Sequence, residues 1–312
     1  MSTPSRGPSG SGGTEPSGVA AAPALHAELE VLETGPLALL EDLGRPGLAA
    51  QGVGRSGAAD RASFLLGARL LGQGPAHAAV EVTYGGLVVR ARGSVTVVLT
   101  GAPAPTTVDD RPAPHAAPFL LRAGQVLRIG QPTTGLRTYL SVRGGVAVAA
   151  VLGSRSTDTL SGIGPAPLQA GDVLPVERPV GEPTVDVAPV ADPTERMVVL
   201  RALPGPRDGW LADPLALERQ TWTVSSHSDR VGLRLDGEPL ERHPDRTGAE
   251  LPSEGLVRGA VQVPAGGQPV LFLADHPVTG GYPVVAVVLD ADVDRAAQAV
   301  PGQQVQFRLQ LR

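Results

Sequence analysis

Between Ser225 and Pro283 a set of polar side chains falls at the ends of apolar runs: Ser225, Asp229, Arg230, Glu254, Gln262, Asp275, Thr279 and Tyr282. Carboxylates, a guanidinium, an amide and hydroxyls are the groups that orient a polar substrate and relay a proton, provided that burial raises the pKa of one carboxylate. The densest stretch is LFLADHPVTGGYPVVAVVL, residues 271–289, where two β-branched runs flank a loop holding Asp275, His276, Thr279, Gly280, Gly281, Tyr282 and Pro283. Paired glycines let a backbone take φ > 0 or lie close to a ligand. In the first half, Ser56 stands in GVGRSG (52–57) and Arg155 in GSRST (153–157). Glycines and Arg55 at a helix start can hold a carboxylate or phosphate, and Arg155 can clamp a carboxylate bidentately. The same residues also read as a capped hairpin, a plain helix cap and a solvated turn. Spacing alone leaves both readings open.

The elements that must position these groups are mostly strands. Forty Gly and 31 Pro point to many turns, and 42% apolar with only 3% aromatic residues points to cores of Val, Leu and Ala. Residues 1–27 are Ser, Gly, Pro and Ala with scarcely any charge, and read as a disordered tail. They lack the charged start and apolar core of a signal peptide. LEVLE and PLALLED read as strands, and Ala58 to Leu71 as a helix opened by Ser56 or Asp60. GVGRSG matches GxGxxG formally, but RPGLAAQ precedes it and only strands follow, so a dinucleotide fold is rejected. Residues 79–146 alternate strands and turns as an antiparallel barrel or sandwich does. The first domain is assigned to residues 28–178, a Pro-rich linker to 179–195 and the second domain to 196–312. The second carries a short helix behind Asp213-Pro214, a strand, Gly-Gly turn and strand in LVRGAVQVPAGGQPVLFL, and a helix from Asp292 to Val300. AGQVLRIG (123–130), AGDVLPVE (170–177) and PGQQVQFRL (301–309) echo one another and suggest duplication of one β unit.

Absences narrow the chemistry. Every one of the 26 basic residues is Arg. A Walker-A lysine, a Schiff-base lysine and a biotinyl lysine are therefore excluded from this chain. Zero Cys removes thiol nucleophiles and disulfides and fits a cytoplasmic setting. Six His without close pairing argue against a metal site. A net charge of −5 with no basic stripe argues against nucleic acid, and no apolar run is long enough for a membrane span.

Taken block by block, EDLGRPG, GVGRSGAAD, VEVTYGG, AGQVLRIG, LGSRST, RALPGPRDGW, SDRVGLRLDG and PSEGLVRGAVQVPAGGQPVLFLADHPVTGGYPVVAVV resemble, in order over about residues 29–310, the biotin-dependent carboxyltransferase family of KipA and 5-oxoprolinase C-type proteins. That resemblance implies a mainly β protein with two cyclophilin-like β-barrel domains and a few short helices. It implies one component of a 5-oxoprolinase complex, working with a KipI-like B subunit and an A subunit on a small-molecule substrate. The complex would use ATP to open 5-oxoproline to glutamate, with no covalent biotin on this chain. In such a component Asp275 and Glu254 would handle protons. Arg230, Arg155, Ser56, Gln262, Thr279, Gly280, Gly281 and Tyr282 would contact substrate. A regulatory binding module without chemistry and a urea-type carboxyltransferase domain are the alternatives. The chain departs from the family pattern where Asp229 and Val231 replace Asn and Met, and where His276-Pro277 replaces Arg- or Gln-like residues.

Overall fold

A computed structural model describes residue 1 and residues 25–183, 185–190 and 196–310. The tail at 2–24, part of the linker (184 and 191–195) and residues 311–312 lie outside the described residues. Strand β1 (Leu25–Thr34) begins inside the stretch read as a tail, because Leu25 and Ala27 pair with Glu177 and Val176 at the far end of the first half.

The remaining strands of the first half are β2 (Leu37–Glu41), β3 (Ala79–Thr83), β4 (Leu87–Arg92), β5 (Val95–Gly101), β6 (Thr106–Val108), β7 (Arg111–Pro112), β8 (Phe119–Leu121), β9 (Val126–Ile129), β10 (Arg137–Val142) and β11 (Val173–Glu177). They form two separately hydrogen-bonded sheets, ordered β11-β1-β4-β9-β6-β7 and β2-β3-β10-β5-β8. Alternation in β1, which buries Ala27, Leu29 and Val31, turns one face toward Val80, Val82, Leu99 and Leu140 of the other sheet. β10 is buried at every position, as a strand covered on both faces must be. Its outer cover is helix α1 (Arg61–Leu70), which packs Phe64 edge-on against Tyr139 at 6.5 Å.

α1 starts three residues later than its apolar pattern predicts. Ser56 and Gly57 take positive φ (54° and 94°), and the N–H groups of Ala59 and Asp60 go to Glu81 (2.9 Å) and the Tyr139 hydroxyl (2.8 Å). Asp60 is the N-cap, accepting from Ser63 N at 2.9 Å.

The second half comprises β12 (Met197–Pro204), α2 (Ala216–Arg219), β13 (Trp222–Val224), β14 (Gly232–Asp236), β15 (Glu254–Gly255), β16 (Ala260–Gln262), β17 (Val270–Phe272), β18 (Thr279–Gly280), β19 (Val284–Val288), α3 (Asp290–Ala296) and β20 (Gln304–Leu309). Seven of these strands close a barrel, ordered β12-β19-β16-β17-β14-β13-β20 and completed by the parallel pair β12–β20. Closure removes exposed sheet edges. The protein is thus mainly β with short helices, and the closed barrel lies in its second half. α3 begins at Asp290, before the predicted Asp292, and ends at Ala296; Arg201 clamps the Asp292 carboxylate with Nε at 2.8 Å and Nη2 at 2.9 Å. In each of the three echoing segments a glycine with positive φ (Gly124, Gly171, Gly302) leads into a strand. No helix among the described residues is long and apolar enough to cross a membrane.

Small residues and shared polar groups hold the halves together. Ala59, Ala274 and Ala297 form a buried cluster between them. The Asp294 carboxylate of α3 accepts Arg61 N (2.9 Å) and Ala62 N (3.2 Å), so the open N-terminal turn of α1 is served from the other half. Gln298 accepts from the backbone N–H of Leu136 and Arg137 and donates to Asp60.

One of several equally tight backbone crossings lies at the β3–β4 turn. Gly85 has φ +70°, and a Cβ there would sit 2.0 Å from the Gly130 carbonyl oxygen. Gly85→Ala should therefore cost about 3 kcal/mol of unfolding free energy, whereas Gly124→Ala, with equally positive φ but open space, should cost only about 1 kcal/mol. Urea denaturation of the two variants checks the difference.

Candidate functional site at the interface of the two halves

β2 and β3 read as apolar strands, yet each carries an acid turned toward the second half: Glu41 at the end of LALLE and Glu81 in the middle of AVEVT. Both are fully buried. An isolated carboxylate in that setting is prohibitively costly, so partners must be supplied. They come from the Ser225–Val231 loop and the loop after β17. Arg230 reaches across the interface, pairs with Glu81 through Nη1, lies 3.1 Å from Glu41 through Nη2, donates to the Gly57 carbonyl (2.7 Å) and holds Asp275 with Nε at 2.9 Å and Nη2 at 3.2 Å. Arg137 on β10 lies 3.4 Å from Glu81 through Nε and donates to the Ala297 carbonyl. Tyr139 donates its hydroxyl to the other Glu81 oxygen at 2.7 Å.

Asp275 takes donors from both halves: Ser56 Oγ at 2.6 Å, Thr159 Oγ1 at 2.6 Å, Thr159 N at 3.0 Å and Arg230 twice. A carboxylate offers about four lone-pair positions, so none of its capacity remains for a substrate proton. Burial pushes its pKa up, but Arg230 and the Ser56 and Thr159 donors outweigh burial and hold it below the ordinary carboxylate range. Glu81 follows the same balance, with burial opposed by Arg230, Arg137 and the Ala59 and Tyr139 hydrogen bonds, and also lies low. Glu41 goes the other way. Burial, with the negative charges of Glu81 and Asp275, raises it well above normal despite Arg230. Among the described residues neither of its oxygens has a well-aligned hydrogen-bond donor. Two guanidiniums thus face three buried carboxyls, and Glu41 is the one whose charged form is disfavoured.

The two arginines of the cluster, Arg137 and Arg230, line a cleft of about 580 Å³ between the halves. Arg137, Tyr84 and Thr159 line it from the first half, and Ser226, Asp229 and Arg230 from the second. Arg230 has all three nitrogens committed to protein acceptors, while among the described residues Arg137 has only the Ala297 carbonyl as a hydrogen-bonded acceptor for its side chain. Arg137 is thus the guanidinium with capacity for a ligand.

The structure separates the polar residues singled out in the sequence. Ser56, Arg230 and Asp275 meet in the buried cluster. Glu254, Gln262, Thr279, Gly280, Gly281 and Tyr282 form a second group around the β15–β18 ribbon, where Glu254 pairs with Gly280 and Gly255 with Thr279. Gln262 donates to the Tyr282 carbonyl at 2.9 Å, and Gly281 and Tyr282 border an open cavity of about 970 Å³. Glu254 is held by Arg207, with Nε 3.1 Å away, and this hydrogen bond lowers its pKa against a small effect of burial. Among the described residues burial raises the carboxyls of Glu41 and Asp60, not those of Glu254 or Asp275. Arg155 is in neither group: its guanidinium is bound by Glu177 (2.8 Å), the Val148 carbonyl and the Ala76 carbonyl. The serine hydroxyls of the GSRST loop serve Asp42, which accepts from Ser154 and Ser156 at 2.6 Å each. Ser225 is buried and lines a separate cavity of about 580 Å³. Asp229 caps its own turn, accepting from Val231 N (2.8 Å) and Gly232 N (2.9 Å), a role that needs only acceptor oxygens. His276, where the family pattern has longer polar side chains, is buried beside Phe272, and burial lowers its pKa. Among the described residues no cluster of acids and histidines is arranged to hold a metal.

A two-half β architecture with a polar cleft at a buried charge cluster defines one structural class, and similarity to known proteins gives it a name. The family model of the carboxyltransferase domain, subdomains A and B, matches residues 51–309, and this chain belongs to that family. It is 36% identical over 287 residues to the C subunit of 5-oxoprolinase from Escherichia coli, covering 89% of this chain and 90% of the relative. Urea amidolyase of Saccharomyces cerevisiae is 30% identical over 289 residues, a match to 85% of this chain but 16% of that protein. The crystal structure of TTHA0988 superposes with a TM-score of 0.82 at 33% identity, covering 95% of this chain and 59% of that one. The chain thus spans about three fifths of the length of that solved protein.

The cluster dictates an asymmetric response to pH. Glu81 and Asp275 are depressed, so they stabilise the fold above their unfolded values near pH 4 and lose that contribution as pH falls. Glu41 is raised, so the folded state holds a proton that the unfolded chain releases, and stability declines as pH climbs above about 4.5. Glu41→Gln should match the parent near pH 4 and exceed it progressively toward pH 8. Glu81→Gln should lose about 3 kcal/mol at neutral pH by leaving Arg230 under-compensated. Urea denaturation at a series of pH values distinguishes the two.

Proposed function

We propose that this chain is the C subunit of an ATP-dependent 5-oxoprolinase, a cyclic amide hydrolase that is active only with a KipI-like B subunit and an A subunit. The observation that carries this reading is the 36% identity to the 5-oxoprolinase C subunit along nine tenths of both chains. Urea-type carboxyl transfer is less well supported, since the match occupies a small part of a much longer protein.

The chemistry of the cleft agrees with the reaction. A lactam resists hydrolysis at neutral pH, so the amide must be activated, and ATP bound by the complex supplies that activation. The lack of any Lys on this chain fits a division of labour in which another polypeptide contributes phosphate-binding groups. What this chain offers is orientation. Arg137 takes the carboxylate of 5-oxoproline, with Ser226 and Ser228 on the facing wall to hold the ring. Asp275 and Arg230 act as positioning residues, fixing the floor on which the substrate rests, and Glu254 with the Thr279–Tyr282 ribbon forms the outer edge that meets a partner. No biotin is carried on this chain, and the complex works in the cytoplasm, in keeping with the absence of Cys.

The test is reconstitution with both partner proteins, reading glutamate release from 5-oxoproline with and without ATP. ATP-dependent release is expected, and Arg137→Lys, which keeps the charge but removes the planar fork, should raise KM for 5-oxoproline about tenfold. A complete mixture of folded components that associates but releases no glutamate overturns the enzyme reading in favour of a binding module.

A further inference from the structure

The motif VEVTYGG, residues 80–86, contributes Glu81 to the buried cluster and Gly85 to a backbone crossing, and Tyr84 stands between them. Tyr84 has φ +62°, a conformation that bulky side chains rarely adopt. Its surroundings enforce it. Gly85 (φ +70°) crosses the Gly130 carbonyl, Gly86 (φ +85°) would drive a Cβ to 2.7 Å from Gly35, and a Cβ on Gly35 would in turn lie 2.0 Å from the Gly85 carbonyl oxygen. The Tyr84 N–H is fixed to the Leu136 carbonyl at 2.9 Å, one residue before Arg137. A glycine would occupy position 84 with less strain, as it does at the two positions that follow. A strained, over-determined residue on the wall of a cleft is the pattern that marks a functional contact.

The side chain stands where such a contact is useful. Tyr84 is half-buried and lines the interdomain cleft next to Arg137. Its hydroxyl makes no hydrogen bond among the described residues, and the neighbouring guanidinium acts electrostatically on it. Burial raises its pKa, so it remains a neutral O–H donor at physiological pH.

We propose that Tyr84 is a substrate-positioning residue of the cleft, donating its hydroxyl to the carboxylate of a small cyclic amide acid whose other carboxylate contact is Arg137. This rests on the reading of the chain as a 5-oxoprolinase component. The strained backbone aims the phenol across the cleft, so the carboxylate is held by a charged fork on one side and a neutral donor on the other. Ligands lacking the carboxylate then gain nothing from this wall.

Two variants in the reconstituted complex test it. Tyr84→Phe removes only the donor and should raise KM for 5-oxoproline about tenfold, the effect of losing a hydrogen bond to a charged group, while kcat and KM for ATP stay within about twofold. Tyr84→Gly relieves the positive φ and should show the same rise in KM with a Tm equal to or above the parent's. A residue kept for packing alone would behave oppositely, with a lower Tm and an unchanged KM, and that result overturns the proposal. Parent-like KM for 5-oxoproline in Tyr84→Phe also overturns it while leaving the assignment to the complex intact. An inactive parent complex overturns both.

Discussion

Arg230 is the interaction on which the rest depends. Its guanidinium comes from the second half, yet most of what it satisfies belongs to the first: Glu81, Glu41 and the Gly57 carbonyl, with Asp275 drawn in from its own side. Buried ion pairs seldom add much net stability, but removing one partner is expensive because the other charge is stranded. The constraint here is charge balance. Three carboxyls are buried against two guanidiniums, and Glu41, with no well-aligned donor of its own among the described residues, is the one whose charged form burial disfavours. The consequence is specificity of arrangement: one relative placement of the two halves satisfies all of these groups, and that placement sets the width of the cleft.

The loop from Asp275 to Pro283 links this buried knot to the surface. Its first residue is locked by five donor contacts, from Ser56 and Thr159 of the first half and from Arg230. Four residues later Thr279 and Gly280 form a short ribbon with Glu254 and Gly255 that faces outward. The loop therefore ties a rigid internal anchor to an exposed rim. This is how a β scaffold presents a site while its strands stay fixed.

How much of this could be read from the residues differs by layer. Strand-rich halves, the turn glycines and the family blocks were legible because period-two patterning and Gly/Pro punctuation are local signals. Ser56, Arg230 and Asp275 were recognisable as polar residues in loops between strands, although nothing local says that they touch. Glu41 and Glu81 look like ordinary strand residues. The signal was present, since an acid inside AVEVT or closing LALLE has no solvent face to occupy, and such an acid needs a cation from elsewhere. Arg155 misleads for the converse reason: a hydroxyl-rich loop around an arginine looks like an anion site, but its partners, Glu177 and two backbone carbonyls, are internal. The start of α1 lies at Arg61 rather than Ala58 because tertiary acceptors capture the preceding N–H groups, which no propensity records.

The central claim is that the cleft above Arg230, and not the larger open cavity beside Tyr282, receives the substrate. The most direct measurement is a crystal structure of the reconstituted complex soaked with 5-oxoproline. Ligand density is expected between the two halves, with its carboxylate against Arg137. Density seated instead beside Tyr282 and Gly281, with the interdomain cleft empty, would contradict the claim.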